Sequence, residues 1–247
     1  MIRAMIFDLD GTLVQTEKLK AISYAKAVID LCPDQVSEGQ VVEAFKQVVG
    51  LARHEVAQTL VDQFNLVEKA AGRMAEFGVS TPWQAFIQVR LQHYEAMLAD
   101  PQILLDNRWS HNLDLLEEAH QARCKTGLAT MSSCRQAQRV LEILNLSDEF
   151  DFIATRDDVA QGKPDPEIYT LVACELGIPA EQCLVIEDSP AGVQAALAAG
   201  MWCIAVTTPF TRAAIHSSQL LDERWVVDEA DKLLPVVQEM IAERTND

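Results

Sequence analysis

The sequence predicts an α/β protein, a doubly wound (Rossmann-like) parallel-sheet core with an inserted α-helical cap domain. Three observations carry this. One short apolar run, "AMIFD" (4–8), stands alone near the N-terminus, and a long stretch of helical pattern with little strand signal follows it. From residue 124 the rhythm changes, and five more short apolar runs alternate with helical patterns. Strand-helix alternation of this kind builds a parallel sheet covered by helices on both faces. The expected division is therefore 1–15 plus 100–247 for the core and 16–99 for the cap, with the second crossing near "ADPQ" (99–102).

Each element has a local reason. "AMIFD" is short, apolar and bounded by polar residues, as a buried strand is. In the inserted stretch, Ser37 followed by Gln40 reads as a capping box, and Val41, Phe45, Val48 and Val49 share one helical face behind it. Thr81 reads as a second N-cap, with Pro82 at N1 and Gln84 at N3. The later strand candidates are "KTGLAT" (125–130), "FDFIAT" (150–155), "CLVIED" (183–188), "WCIAV" (202–206) and "WVV" (225–227). After Ser133, residues Ala137, Val140, Leu141 and Leu144 keep helical spacing. Ser189-Pro190 reads as N-cap and N1 of the helix that carries Val193, Ala196 and Leu197, and Gly200 is placed to end it.

Composition narrows the function. The 247 residues carry a net charge of −17, with 49% hydrophobic and 23% charged residues. So acidic a chain is not expected to bind nucleic acid non-specifically or to sit on an anionic membrane surface. Its six cysteines form no C-x-x-C pair, which argues against zinc, and Cys174, Cys183 and Cys203 read as small buried hydrophobes. The five histidines lack metal-ligand spacing. Arg3, Asp8 and Asp10 interrupt the first apolar run, so no signal peptide is expected, and a soluble cytoplasmic protein is the default reading.

The chemistry is expected where the strands end. In an open parallel sheet, ligands bind beyond the carboxyl ends of the strands. Asp8 and Asp10 follow the first strand, Thr130, Ser132 and Ser133 the second, and Glu187-Asp188 a later one. Two aspartates one residue apart repel each other and lose hydration unless a cation or a shared proton compensates. Hard oxygen ligands suit Mg²⁺, and serines before a helix suit a phosphate. Lys163 in "QGKPDP" is placed to supply positive charge. Taken singly, each feature has a plainer reading: a solvated turn, a strand-end hydroxyl, a surface lysine, a charge pair favoured by a helix dipole.

Taken together, "FDLDGTL", "LAT" followed by "MSS", "GKPDP" and "VIEDSPAG" resemble, in order and spacing, the haloacid dehalogenase-like hydrolases. The likeness is to the subgroup of β-phosphoglucomutase and small sugar-phosphate phosphatases with a helical cap, and it spans residues 2 to about 207. The resemblance implies roles. Asp8 would be the nucleophile that forms an aspartyl-phosphate, and Asp10 the general acid and base. Thr130 would hydrogen-bond the phosphoryl group, with Ser132 and Ser133 beside it, and Lys163 would neutralise charge. Asp8, the Asp10 carbonyl and Asp188 would hold Mg²⁺, with Glu187 acting directly or through water. The cap would close over the site and exclude water. "VVGLARHEVA" (48–57) resembles the cap's specificity segment, with Gly50 permitting a turn and Arg53 gripping a distal anionic group; Lys20 is a second such residue.

The implied activity is Mg²⁺-dependent hydrolysis of a small phosphorylated metabolite by a monomer or weak dimer. The alternatives are a phosphomutase of the β-phosphoglucomutase kind and a non-catalytic binding protein on the same fold. The chain departs from the subgroup at Gln15-Thr16-Glu17, where many members have D-[TS]-E. It also departs at Lys20, where several have histidine, and at Ser133-Cys134, where the mutase has Lys-Asn. These departures weigh against the mutase.

Overall fold

The structure, a computed structural model, describes residues 1–33, 35–49 and 53–245. Six strands form one sheet: β1 (Ala4–Phe7), β2 (Lys125–Ala129), β3 (Phe152–Ala154), β4 (Cys183–Glu187), β5 (Trp202–Val206) and β6 (Val226–Val227). Their spatial order is β3-β2-β1-β4-β5-β6, and every pairing is parallel. "WCIAV" forms over its full length, four other expected strands lose one residue at one end, and "FDFIAT" loses two at its start and one at its end. β1 is buried along its whole length, as a central parallel strand must be when helices cover both faces.

The order places the site. The chain winds outward from β1 through β2 to β3, then reverses and winds outward through β4, β5 and β6. The switch point is therefore at the carboxyl end of β1, where such sheets bind ligands. Phe7 lies opposite Leu128 on one side and Ile186 on the other. Asp8 then follows at the level of Ala129 and Glu187, and its N–H donates to the Ile186 carbonyl at 3.0 Å.

Local signals explain the helix starts. The Ser37–Gln40 and Thr81–Gln84 capping boxes both form, the second with Pro82 in the first turn. Ser189 accepts from the Gly192 N–H at the head of the Pro190–Ala198 helix, and Gly200 follows that helix at φ 75°. Cys174 corrects the cysteine reading: it is exposed, whereas Cys183 and Cys203 are buried. In the Glu167–Leu176 helix the buried face is Ile168, Tyr169, Val172 and Ala173, and Cys174 falls one step beyond it.

The chain divides into two compact units, Met1–Gln15 with Leu104–Asp247, and Thr16–Ile103. The second crossing lies four residues after the expected 99/100, within a short helix at Pro101–Leu105 that carries the chain past "ADPQ" in helical form. The second unit is helical. Its Thr16–Leu31, Glu38–Lys46 and Pro82–Leu98 helices meet at Tyr24, whose ring lies 5.4 Å from Phe45 and 5.8 Å from Phe86. Among the described residues no helix is long and apolar enough to cross a membrane.

At the β6 end of the sheet, His216 Nε2 lies 3.1 Å from Asp228 and Nδ1 lies 3.3 Å from Glu223. Hydrogen bonds to Asp228 and Glu223 raise the imidazole's pKa from its ordinary 6.5. A raised folded value stabilises the fold fully below the unfolded pKa, and that contribution fades as pH rises through the folded value. The melting temperature of wild type is therefore expected to exceed that of His216→Asn at about pH 5.5, with the gap closing by about pH 9. A gap constant across that range would show that the protonated ring contributes nothing.

Candidate active site

Beyond the carboxyl ends of the strands, a buried lysine is held between two carboxylates. The Lys163 ammonium donates to Asp8 Oδ1 at 2.7 Å, to Glu187 Oε1 at 2.7 Å and to the Ala129 carbonyl at 3.0 Å, which uses all three of its hydrogens. The side chains of Lys163, Asp8 and Glu187 are 5%, 8% and 1% exposed, so water screens these charges little. Burial alone would lower the lysine's pKa, but Asp8 and Glu187 overturn that and hold it above its usual value.

The two carboxylates respond in opposite directions. Burial lifts Asp8 well above the usual carboxylate range; Lys163 opposes this, while Glu187 and Asp10 push it further up. Burial also acts upward on Glu187, yet Lys163 and hydrogen bonds from Ser189 and Tyr169 bring it below its ordinary value. The difference lies in the number of donors. Glu187 Oε1 accepts from Lys163 and Tyr169, and Oε2 accepts from the N–H groups of Asp188 and Ser189 and from the Ser189 hydroxyl. Donors to the charged form stabilise it. Asp8 has Lys163 on Oδ1 only, and among the described residues no hydrogen bond engages Oδ2.

Asp10 sits in a hydroxyl cradle. Its Oδ2 accepts from Ser132 Oγ at 2.6 Å and from Thr130 Oγ1 at 3.3 Å, and Thr130 Oγ1 in turn accepts from the Ser132 N–H. Gly11 follows at φ 91°, a left-handed turn that a side chain would strain, and its N–H closes a loop onto the Val14 carbonyl. The structure thus orients Thr130 and Ser132 toward Asp10. Ser133 differs: its hydroxyl donates to Gln136 Oε1, and it makes no side-chain cap on the Cys134–Leu144 helix. Asp157 takes the Cys134 N–H at the head of that helix, a donor the sequence reading had left for phosphate.

Asp8, Glu187 and Asp188 are all buried, and Lys163 is the cation that faces the first two. An excess of buried negative charge of this kind calls for a compensating cation or for protons. Among the described residues no three His, Cys, Asp or Glu side chains converge as a metal cage. The sequence expects Asp8, the Asp10 carbonyl and Asp188 around the ion, with Glu187 acting directly or through water; in the structure five donors engage the Glu187 carboxylate. Asp8 and Asp188 would offer two carboxylates, a number that suits Mg²⁺, an ion that takes roughly one or two protein carboxylates and keeps water or phosphate on its other positions.

The family model of haloacid dehalogenase-like hydrolases matches residues 2–200. The chain belongs to this family. Among curated relatives of this hydrolase, the validoxylamine A 7'-phosphate phosphatase of Streptomyces hygroscopicus subsp. limoneus is 27% identical, covering 90% of this chain and 93% of the relative. A phosphorylated carbohydrates phosphatase of Thermotoga maritima is 29% identical, over 80% of this chain and 82% of the relative. Among solved structures, a putative β-phosphoglucomutase from Thermotoga maritima superposes with a TM-score of 0.70 at 24% identity, covering 96% and 99% of the two chains, which shows a shared fold.

Sequence reasoning missed two core residues of this hydrolase. Tyr169 donates to Glu187, and its only signal was an aromatic residue six positions after Lys163. Gly192, inside "VIEDSPAG", explains that motif's glycine: a Cβ there would lie 1.7 Å from Glu187 Oε1 and 1.9 Å from Glu187 Cδ. Gly192→Ala is therefore expected to displace the Glu187 carboxylate and cost about 1–3 kcal/mol, the scale of core overpacking. Denaturant unfolding checks this, and unchanged stability would mean that Glu187 relocates freely.

In the helical unit three cationic residues share the neighbourhood of one phenol. The Arg90 guanidinium lies 5.1 Å from the Tyr24 ring and 4.5 Å from the Tyr94 ring, and Arg90 is only 5% exposed. Burial raises the Tyr24 pKa, while Arg90, Arg53 and Lys20 pull it down, so Lys20 and Arg53 share this neighbourhood. Arg53 is exposed and heads the Arg53–Gln63 helix. Arg90 was missed, although a charge on the apolar face of Phe86, Val89 and Tyr94 was the signal for it. Gly50 lies outside the described residues.

Proposed function

We propose that this hydrolase is a Mg²⁺-dependent phosphatase that cleaves a small phosphomonoester, by class a sugar phosphate, through an aspartyl-phosphate on Asp8. The observation that carries the reading is the Asp8 carboxylate held by Lys163 on one oxygen, with Asp10 two residues on in its own hydroxyl cradle.

An Asp8 oxygen attacks phosphorus, and the P–O bond to the sugar breaks as the new O–P bond forms. Asp10 gives the departing oxygen its proton. Water then attacks the aspartyl-phosphate, Asp10 takes a proton from it, and inorganic phosphate leaves with Asp8 restored. Lys163 offsets negative charge on Asp8 and the phosphoryl oxygens, and Ser132 and Thr130 keep Asp10 in one orientation. Asp8, Asp188 and the Asp10 carbonyl would hold Mg²⁺, which supplies charge neutralisation and alignment of the phosphoryl group.

The class of substrate draws support from the phosphorylated carbohydrates named for a relative and from the cations of the helical unit. Lys20 and Arg53 would suit an anionic substituent. The six thiols are free, which suits a reducing compartment such as the cytoplasm.

A panel of sugar phosphates and other small phosphomonoesters tests the reading, scored for free phosphate and for substrate loss, with Mg²⁺ or with EDTA. Phosphate release that requires Mg²⁺ is expected. Conversion of substrate to an isomer without phosphate release would make the protein a mutase. Silence across the panel would favour a binding role.

A further inference from the structure

We propose that Tyr169 is a positioning residue for phosphoryl transfer: its hydroxyl fixes Glu187 and its ring face seats the Lys163 ammonium, so one side chain aligns the cation that holds Asp8. The proposal rests on the reading of Asp8 as nucleophile. Tyr169 is on the first turn of the Glu167–Leu176 helix and is wholly buried, packed in the core cluster with Ile6, Ala129, Val185 and Cys203. Its hydroxyl donates to Glu187 Oε1 at 2.9 Å, the same oxygen that Lys163 reaches at 2.7 Å. The Lys163 nitrogen lies 4.8 Å from the centroid of the Tyr169 ring.

A lysine is a poor ruler, because four rotatable bonds separate its charge from the backbone. Here three acceptors fix the ammonium's hydrogens, and the ring face supports the same nitrogen by cation–π attraction. The phenol hydroxyl acts one step back. Without it, Glu187 Oε1 would keep only Lys163 while Oε2 kept its three donors, so the carboxylate could pivot about Oε2 and carry the ammonium away from Asp8. Loose alignment at the reacting group costs rate more than ground-state binding. An apolar core plug would behave differently. If Tyr169 only filled space, phenylalanine would fill it equally well, and each folded molecule would turn over normally.

The experiment compares Tyr169→Phe, which keeps the ring and drops the hydroxyl, with Tyr169→Leu, which removes both. Two readouts are taken. The first is kcat and KM on p-nitrophenyl phosphate with Mg²⁺. The second is the ¹⁵N-detected ammonium signal of Lys163, assigned by its loss in a lysine substitution. Tyr169→Phe is expected to lower kcat about tenfold, the scale for a hydrogen bond to a charged group, with KM held within about twofold. Its Lys163 signal should exchange faster with water while keeping its ring-current shift. Tyr169→Leu should lose that shift and lower kcat further; if it fails to fold, Tyr169→Phe decides alone. A kcat within twofold of wild type in Tyr169→Phe, or an unaltered ammonium signal, overturns the proposal. If wild type hydrolyses no phosphomonoester, the catalytic reading falls by that result alone, and the ammonium signal still decides whether Tyr169 holds Lys163.

Discussion

Asp8→Asn is expected to abolish turnover while leaving the fold intact. An amide cannot replace the carboxylate as a nucleophile, so the loss should be about four orders of magnitude or more, the scale for removing a covalent nucleophile. Stability should hold or rise. Burial lifts the Asp8 pKa well above its usual range, which means that the folded protein disfavours the charge. A raised carboxyl pKa destabilises the fold at neutral pH, and asparagine relieves that penalty. Acid-quenched enzyme treated with labelled substrate should carry label on wild type and none on the variant. Retained turnover, or label that persists in Asp8→Asn, would remove the covalent mechanism.

Lys163→Met should damage both stability and activity. The lysine is the cation that faces the two buried carboxylates, at 2.7 Å from each. Removing one partner of such a group leaves the others buried and uncompensated, at a cost of about 3–5 kcal/mol. Protonation of Asp8 would soften that loss, since burial already raises its pKa. The variant should therefore be relatively more stable in mild acid than at neutral pH. Its kcat should fall by about two to three orders of magnitude, as when a preorganised charge donor is lost. Denaturant unfolding at two pH values and steady-state kinetics would check these effects. A variant as stable as wild type at neutral pH would show that Glu187 finds another donor.

Some of this site was legible along the chain and some was not. Asp8 with Lys163, and Asp10 with Thr130, are pairs the fold brings together, and each of these residues stands at a strand end or in a loop with a turn signal. Glu187 shows the limit of such reading. Its type and place suggested a metal ligand, and nothing along the chain pointed to Lys163, Tyr169 and Ser189 as its partners. Ser132 and Ser133 are neighbours of one residue type, and the sequence could not tell them apart. The fold turns Ser132 to Asp10 and Ser133 to Gln136. Tyr169 gave no sign because an aromatic residue on the buried face of a helix is what a core requires.

What the sequence determined by itself is local: six short strands, the Ser37, Thr81 and Ser189 caps, and a helical insertion between β1 and β2. Those features depend on apolar period and on hydrogen bonds spanning a few residues, which a single chain displays directly. What only the tertiary structure decided is partnership. The place of β1 between β2 and β4 joins Lys163 to Asp8 across 155 positions and Ser132 to Asp10 across 122. Side chains so far apart in sequence meet only after the sheet is ordered. The same order leaves the Glu187 carboxylate with five donors and that of Asp8 with one among the described residues.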